Sequence, residues 1–128
     1  MLMAILLSVL LITTAGCQSD APPDTAVLDQ PWTEIEAAAE GASLTMMMWM
    51  GDPAINDYMT TFVVPALRRR YGITLEIVSG QGNQIVSTLL SEMESGRPTS
   101  QLDLIWLNGE TFFQLREIDA LYGPFTEA

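Results

Sequence analysis

The sequence contains no histidine and no lysine, and it has a single cysteine. Without histidine, the commonest general base and metal ligand is missing. No paired nucleophile and base can be assembled from what remains. The lone Cys17 cannot close an intrachain disulfide. Charge is sparse and one-sided: charged residues are 16% of the chain, with sixteen acids against five bases and a formal net charge of −11. The five bases are all arginines, Arg68, Arg69, Arg70, Arg97 and Arg116. An acidic surface of this kind repels phosphate backbones, so nucleic acid is not an expected partner. Together these deficits argue against most hydrolytic and redox chemistry. Neither an enzyme nor a cofactor-dependent protein is expected.

What is present is a core. Hydrophobic residues make up 48% of 128 residues, which leaves room for one domain at most. The longest apolar run, Met1 to Ile12, is too short to span a bilayer as a helix of about 20 residues, and it suits a signal-peptide core. Thr14-Ala15-Gly16-Cys17 behind it resembles a bacterial lipobox, whose cysteine is lipidated and becomes the new N-terminus. It departs from the usual pattern at Thr14, where leucine is common. The absence of Lys or Arg before the run points to a start upstream of Met1. An ordinary secretory signal with a chance cysteine is the alternative. Residues 1–17 are thus expected to direct export, with Cys17 anchoring the product to the membrane on its periplasmic or outer side. From Gln18 to Gln30, Asp20, Pro22, Pro23, Asp24 and Asp29 leave too little apolar surface to fold, and the stretch reads as a tether. A short helix follows over Trp32 to Ala39, with Trp32, Ile35 and Ala39 on one face. Residues 18–41 are the expected tether and helix, and residues 42–128 the folded part.

Within that part the pattern alternates between strand and helix. Leu44 to Trp49 reads as a first strand, stopped by Gly51-Asp52-Pro53. Asp52 suits a helix N-cap and Pro53 a first helical residue, since its missing N–H would be unpaired there. Ile55, Tyr58, Met59 and Phe62 are expected on one helical face, with Pro65 interrupting that helix. A second piece over Pro65 to Tyr71 carries Arg68–Arg70 near its end, where cations complement the dipole, and Gly72 closes it. Ile73 to Val78 is a second strand rich in β-branched residues. Ile85, Val86, Leu89, Leu90 and Met93 then repeat at helical spacing down to Gly96. Leu102 to Leu107 is the third strand, read as covered on both faces. A helix over Glu110 to Ile118 is expected to bury Phe112, Leu115 and Ile118. The order β-α-β-α-β-α predicts an α/β fold with a mainly parallel sheet and helices on its faces.

Ligands of such sheets sit at the carboxyl ends of the strands. The first strand end offers Trp49, Gly51, Asp52 and Asn56, the second Gly80, Gln81 and Gly82, the third Asn108 and Glu110. Small residues let a ligand approach the backbone, helix starts supply free N–H groups, and an indole supplies a flat face. Trp49, Gly51, Asp52, Asn56, Gln81, Asn108 and Glu110 are therefore the candidate ligand-binding residues. Each has a plainer role available: Asp52 as a cap, the glycines as turns, Trp49 and Trp106 as core. Asp52, Asp57 and Glu110 could coordinate a hard cation, but nothing fixes their separation, and no metal is expected. Met46-Met47-Met48 with Met50 suggests thioether ligands, yet strand alternation makes core filling the better reading.

Several segments also resemble a known family. Gly51-Asp52-Pro53-Ala54-Ile55-Asn56, Asp103-Leu104-Ile105-Trp106-Leu107-Asn108-Gly109-Glu110 and Gly123-Pro124-Phe125 look like segments found in that order in the YnjB-like group of bacterial ABC-transporter solute-binding proteins. The resemblance covers about Leu44 to Phe125. It implies a type II periplasmic-binding-protein-like lobe and a two-lobed fold that closes on a small-molecule solute. It implies as well a lipid-anchored carrier that delivers the solute to an ABC permease in the membrane. Members of the group are far longer, so the expectation here is an incomplete first lobe. A small surface lipoprotein acting as an interaction module, or a remnant without activity, is the alternative.

Overall fold

Three short strands organise the folded part, and their neighbours decide where the core lies. The computed structural model describes Val27 and residues 29–122. The expected export signal with Cys17, most of the expected tether and the Gly123-Pro124-Phe125 segment lie outside the described residues. Within them run α1 (Trp32–Ala39), β1 (Ser43–Met48), α2 (Pro53–Asp57), a π-helical stretch (Tyr58–Val63), α3 (Val64–Tyr71), β2 (Thr74–Ser79), α4 (Gly82–Glu94), β3 (Leu104–Ile105) and α5 (Gly109–Glu117). The sheet is parallel throughout, in the order β2-β1-β3. Ser43 to Met48 pair with Thr74 to Ser79, and Met46 and Met47 pair with Leu104 and Ile105. The fold is thus mixed α/β with a small open parallel sheet.

Alternation along β1 divides the methionine run between two cores. Met47 turns to one face, where it packs with Ile85 and Leu89 of α4, Leu102 and Leu115 of α5. Met48 turns to the other and meets Met59 and Leu75, with Ile55, Val63 and Leu67 packed around them. The flexible thioethers fill both cavities, as the strand geometry predicts. Ile85 and Leu115 are fully buried and Met48 nearly so.

The helix after β1 starts as expected. Asp52 Oδ1 accepts from the amides of Ala54 at 2.8 Å and Ile55 at 3.2 Å, and Pro53 occupies the first turn. We predict that Asp52→Ala lowers stability by about 1 kcal/mol, the usual worth of such a cap, read as a shift in urea midpoint at constant slope. Pro65, by contrast, does not interrupt the helix. The chain widens into a π turn just before it, with the Val64 amide bonded to the Met59 carbonyl. Ile55, Met59, Val63 and Leu67 are spaced by four residues, which overruns the 3.6 residues of an α turn. A wider turn takes up that drift and keeps all four on the sheet. Tyr58 and Phe62 consequently point outward, 55% and 57% exposed, and stack on each other at 5.3 Å. The expectation that they share one helical face with Ile55 and Met59 is corrected, since those two pack in the core. At the far end Gly72 has φ 69° and its amide reaches the Arg68 carbonyl at 3.2 Å, a left-handed cap.

Two further expectations are corrected. β3 is regular only over Leu104–Ile105, not over 102–107. The Asp103 carboxylate accepts from the Thr45 amide at 2.7 Å while its own amide bonds to the Thr45 carbonyl at 3.0 Å. A side chain thus takes the place of a ladder carbonyl, and regular pairing begins one residue later. Nor is β3 covered on both faces: Ile105 and Leu107 join the α4–α5 core, whereas Leu104 and Trp106 are 44% and 49% exposed. On α5, Phe112 is exposed and Thr111 takes the buried position beside Leu115. The short helix α1 forms over Trp32–Ala39 but buries none of its residues.

Candidate solute cleft

Sheet order places the site. From β1 the chain crosses over one face to β2, then returns past β1 to reach β3 on its other side. The helices leaving β1 and β3 therefore diverge to opposite faces, since α2 packs with the Met48 core and α5 with the Met47 core. Divergence of this kind opens a crevice beyond the carboxyl ends of the strands. A cleft of about 520 Å³ lies there, lined by Trp49, Gly80, Gln81, Gly82, Trp106, Leu107, Asn108 and Thr111. None of these residues carries a formal charge.

Three of the seven candidates, Trp49, Gln81 and Asn108, line this cleft. Trp49 is 54% exposed and its indole lies across Gly51, where any Cβ would collide with the ring. Gly51 thus acts beneath the tryptophan. Asp52 faces the helix it caps. Asn56 donates from Nδ2 to the Met50 carbonyl at 2.9 Å and pins the turn behind Trp49, while its buried Oδ1 has no partner among the described residues. Glu110 is exposed in the first turn of α5, outside the lining. Asn108 both lines the cleft and caps α5, accepting from the Thr111 amide at 2.9 Å.

Trp106, Leu107 and Thr111 line the cleft although the sequence pattern did not single them out as ligand contacts, and Gly80 and Gly82 figured in it only as small residues at the strand end. Trp106 belongs there because Ile105 and Leu107 face the core. For Thr111 the available signal was its place three residues after the Asn108 cap. Among the described residues no group of three or more His, Cys, Asp or Glu could hold a metal ion. No described helix is long and apolar enough to cross a membrane.

A second cleft, of about 470 Å³, runs along α4 and is lined by Ser87, Thr88, Ser91, Glu92, Ser95, Arg97 and Gln101. Its carboxylate is already engaged. Glu92, with its side chain 10% exposed, accepts from Ser100 Oγ at 2.7 Å, the Gln101 amide at 3.1 Å and Arg97 Nη1 at 3.2 Å. These bonds hold its pKa below the ordinary 4.5, the Ser100 hydroxyl contributing most, against an upward push from burial. Glu92 organises the loop into β3 and is a structural group.

Comparison with known proteins points the same way as the segments quoted above. The chain is similar to Protein YnjB of Escherichia coli (strain K12). The two are 35% identical over 98 residues, which is 75% of this chain and 25% of YnjB. The chain therefore spans about a quarter of the length of that relative. No family model and no solved structure matches.

Proposed function

We propose that these residues form part of the first lobe of an exported, lipid-anchored solute-binding protein of an ABC importer. In this reading Cys17 carries the lipid and the cleft captures a small solute, which a membrane permease then receives. The lobe is of the type II periplasmic-binding-protein kind, and the protein performs no chemistry on its cargo. The observation that carries the reading is the cleft at the switch between β1 and β3, with exposed Trp49 on one side and Trp106 on the other. Similarity to YnjB and the quoted family segments support it.

The test is tryptophan fluorescence of the protein titrated with a panel of small sugars, amino acids, polyamines and organic acids. A solute that saturates the signal should bind at least about tenfold more weakly to Trp49→Ala, because a desolvated indole is commonly a binding hot spot. Trp32→Ala, which removes an indole 65% exposed on α1, should leave its affinity unchanged. Equal affinity for Trp49→Ala and the parent would take the cleft out of the site. The second reading, an interaction lipoprotein, is favoured by exposed Phe112 and Phe113 on α5. Capture of a protein partner that is lost in Phe113→Ser, with no solute response, would establish that reading instead.

A further inference from the structure

Two helices begin at the cleft. Gly82, the first residue of the 13-residue α4, lines it, as do Asn108 and Thr111 at the start of the nine-residue α5. The first backbone bonds of these helices are made by the amides of Ile85 and Phe112, to Gln81 and Asn108. Side chains of Asn83 and Asn108 take the amides of Gln84 and Thr111. The amides of Gly82, Asn83, Gly109 and Glu110 have no acceptor among the described residues. A helix start with free N–H groups carries partial positive charge and favours an anion.

An independent feature lies between the two starts. Thr111 is only 5% exposed, and it lines the cleft. Its hydroxyl makes no hydrogen bond with the protein among the described residues. Thr60 and Thr61, by contrast, bond their hydroxyls to the Asn56 and Asp57 carbonyls. Among the described residues the fully enclosed side-chain atom without a partner is Asn56 Oδ1, so the Thr111 oxygen is open to the cleft, where its hydroxyl can donate to a ligand atom. Gly82 makes room for it, since a Cβ there would collide with Thr111 Oγ1. No residue that lines the cleft carries charge, so neither a carboxylate nor a cation competes with the helix starts.

We infer that the cleft takes its solute by an oxyanion, a carboxylate or sulfonate, held between the N-termini of α4 and α5 and the Thr111 hydroxyl. Trp49 and Trp106 pack against the body of the same molecule. The inference rests on the solute-binding reading and narrows its cargo to anions. Glu110, exposed in the first turn of α5, opposes such a ligand and reduces its affinity.

The experiment is an amide NMR titration of the full chain with three probes of one shape: benzoate, benzamide and benzamidinium. Benzoate should shift the Gly82 and Gly109 amides and saturate them at a concentration at least about tenfold below either other probe, because hydrogen bonds to a charged group are the stronger kind. Thr111→Val should weaken benzoate about tenfold, Thr111→Ser should retain it, and Glu110→Gln should tighten it about twofold. Benzamide or benzamidinium binding as well as benzoate overturns the anion assignment while leaving a solute cleft in place. So does a benzoate affinity indifferent to Thr111→Val, or weakened by Glu110→Gln, or an absence of any benzoate shift at millimolar concentration. The cleft itself falls separately, by the Trp49→Ala titration above.

Discussion

Ile85→Ala should destabilise the folded unit by about 2–4 kcal/mol, the cost of emptying a fully buried position that its neighbours cannot refill. Ile85 is 0% exposed, at the centre of the core that joins Met47 of β1 to Leu89 of α4 and Leu115 of α5. A domain of this size has about 5–15 kcal/mol of stability in all. The loss should therefore lower the melting temperature by more than about 10 °C. Leu90→Ala is the control on the same helix. Leu90 is 39% exposed, and its truncation should cost less than about 1 kcal/mol. Urea unfolding of both variants decides the matter. Equal losses would mean that α4 turns a different face to the sheet.

The same helix shows what a sequence pattern can and cannot convey. Helical spacing marks Ile85, Val86, Leu89, Leu90 and Met93 as one apolar set, and α4 does form there. Which of them are buried depends on the width of the sheet beneath, and with three strands it reaches Ile85 and Leu89 but leaves Leu90 and Met93 largely outside. Tyr58 and Phe62 were misplaced for a related reason: the π turn changes the residues per turn, and no local residue announces it. Caps were legible because their chemistry is local. Asp52 with Pro53, and Gly72 after the arginines, each satisfy groups within a few residues of themselves.

The cleft was legible as a place and less so as a list. Strand ends followed by glycine and a helix start located Trp49, Gln81 and Asn108. Asp52 and Asn56 share that neighbourhood in sequence, but the Asp52 carboxylate and the Asn56 Nδ2 are turned to backbone partners. Trp106 could be assigned only once the neighbours on each side of it were known to face the core. Thr111 is polar and helical, a combination usually left on the surface, and its burial follows from the crossing of α5 over α4. Tertiary contact made that assignment.

Glu92 was the least legible residue, since a glutamate in a sequence such as Ser-Glu-Met-Glu-Ser ordinarily faces water. Glu92→Ala should cost about 1.5–3 kcal/mol, because it removes the acceptor of three hydrogen bonds, two of them from groups that hold the turn into β3. Ser100 Oγ in turn accepts from the Leu102 amide at 3.0 Å, and Leu102 belongs to the Met47 core. The carboxylate is thus linked to the register of β3, and through it to Trp106 and Leu107 in the cleft. The sign of the pH effect follows from the lowered pKa. A group whose folded value is depressed contributes its stability fully above the unfolded value and loses it as pH falls through the folded one. The advantage of the parent over Glu92→Gln should be constant near neutrality, begin to shrink as pH drops below about 4.5, and vanish once the folded carboxyl is protonated. Chemical unfolding of both proteins from pH 7 down to pH 3 measures it. A difference that stays level across that range would mean that ionisation of the carboxylate adds nothing to the advantage, and that packing rather than charge holds the loop to α4.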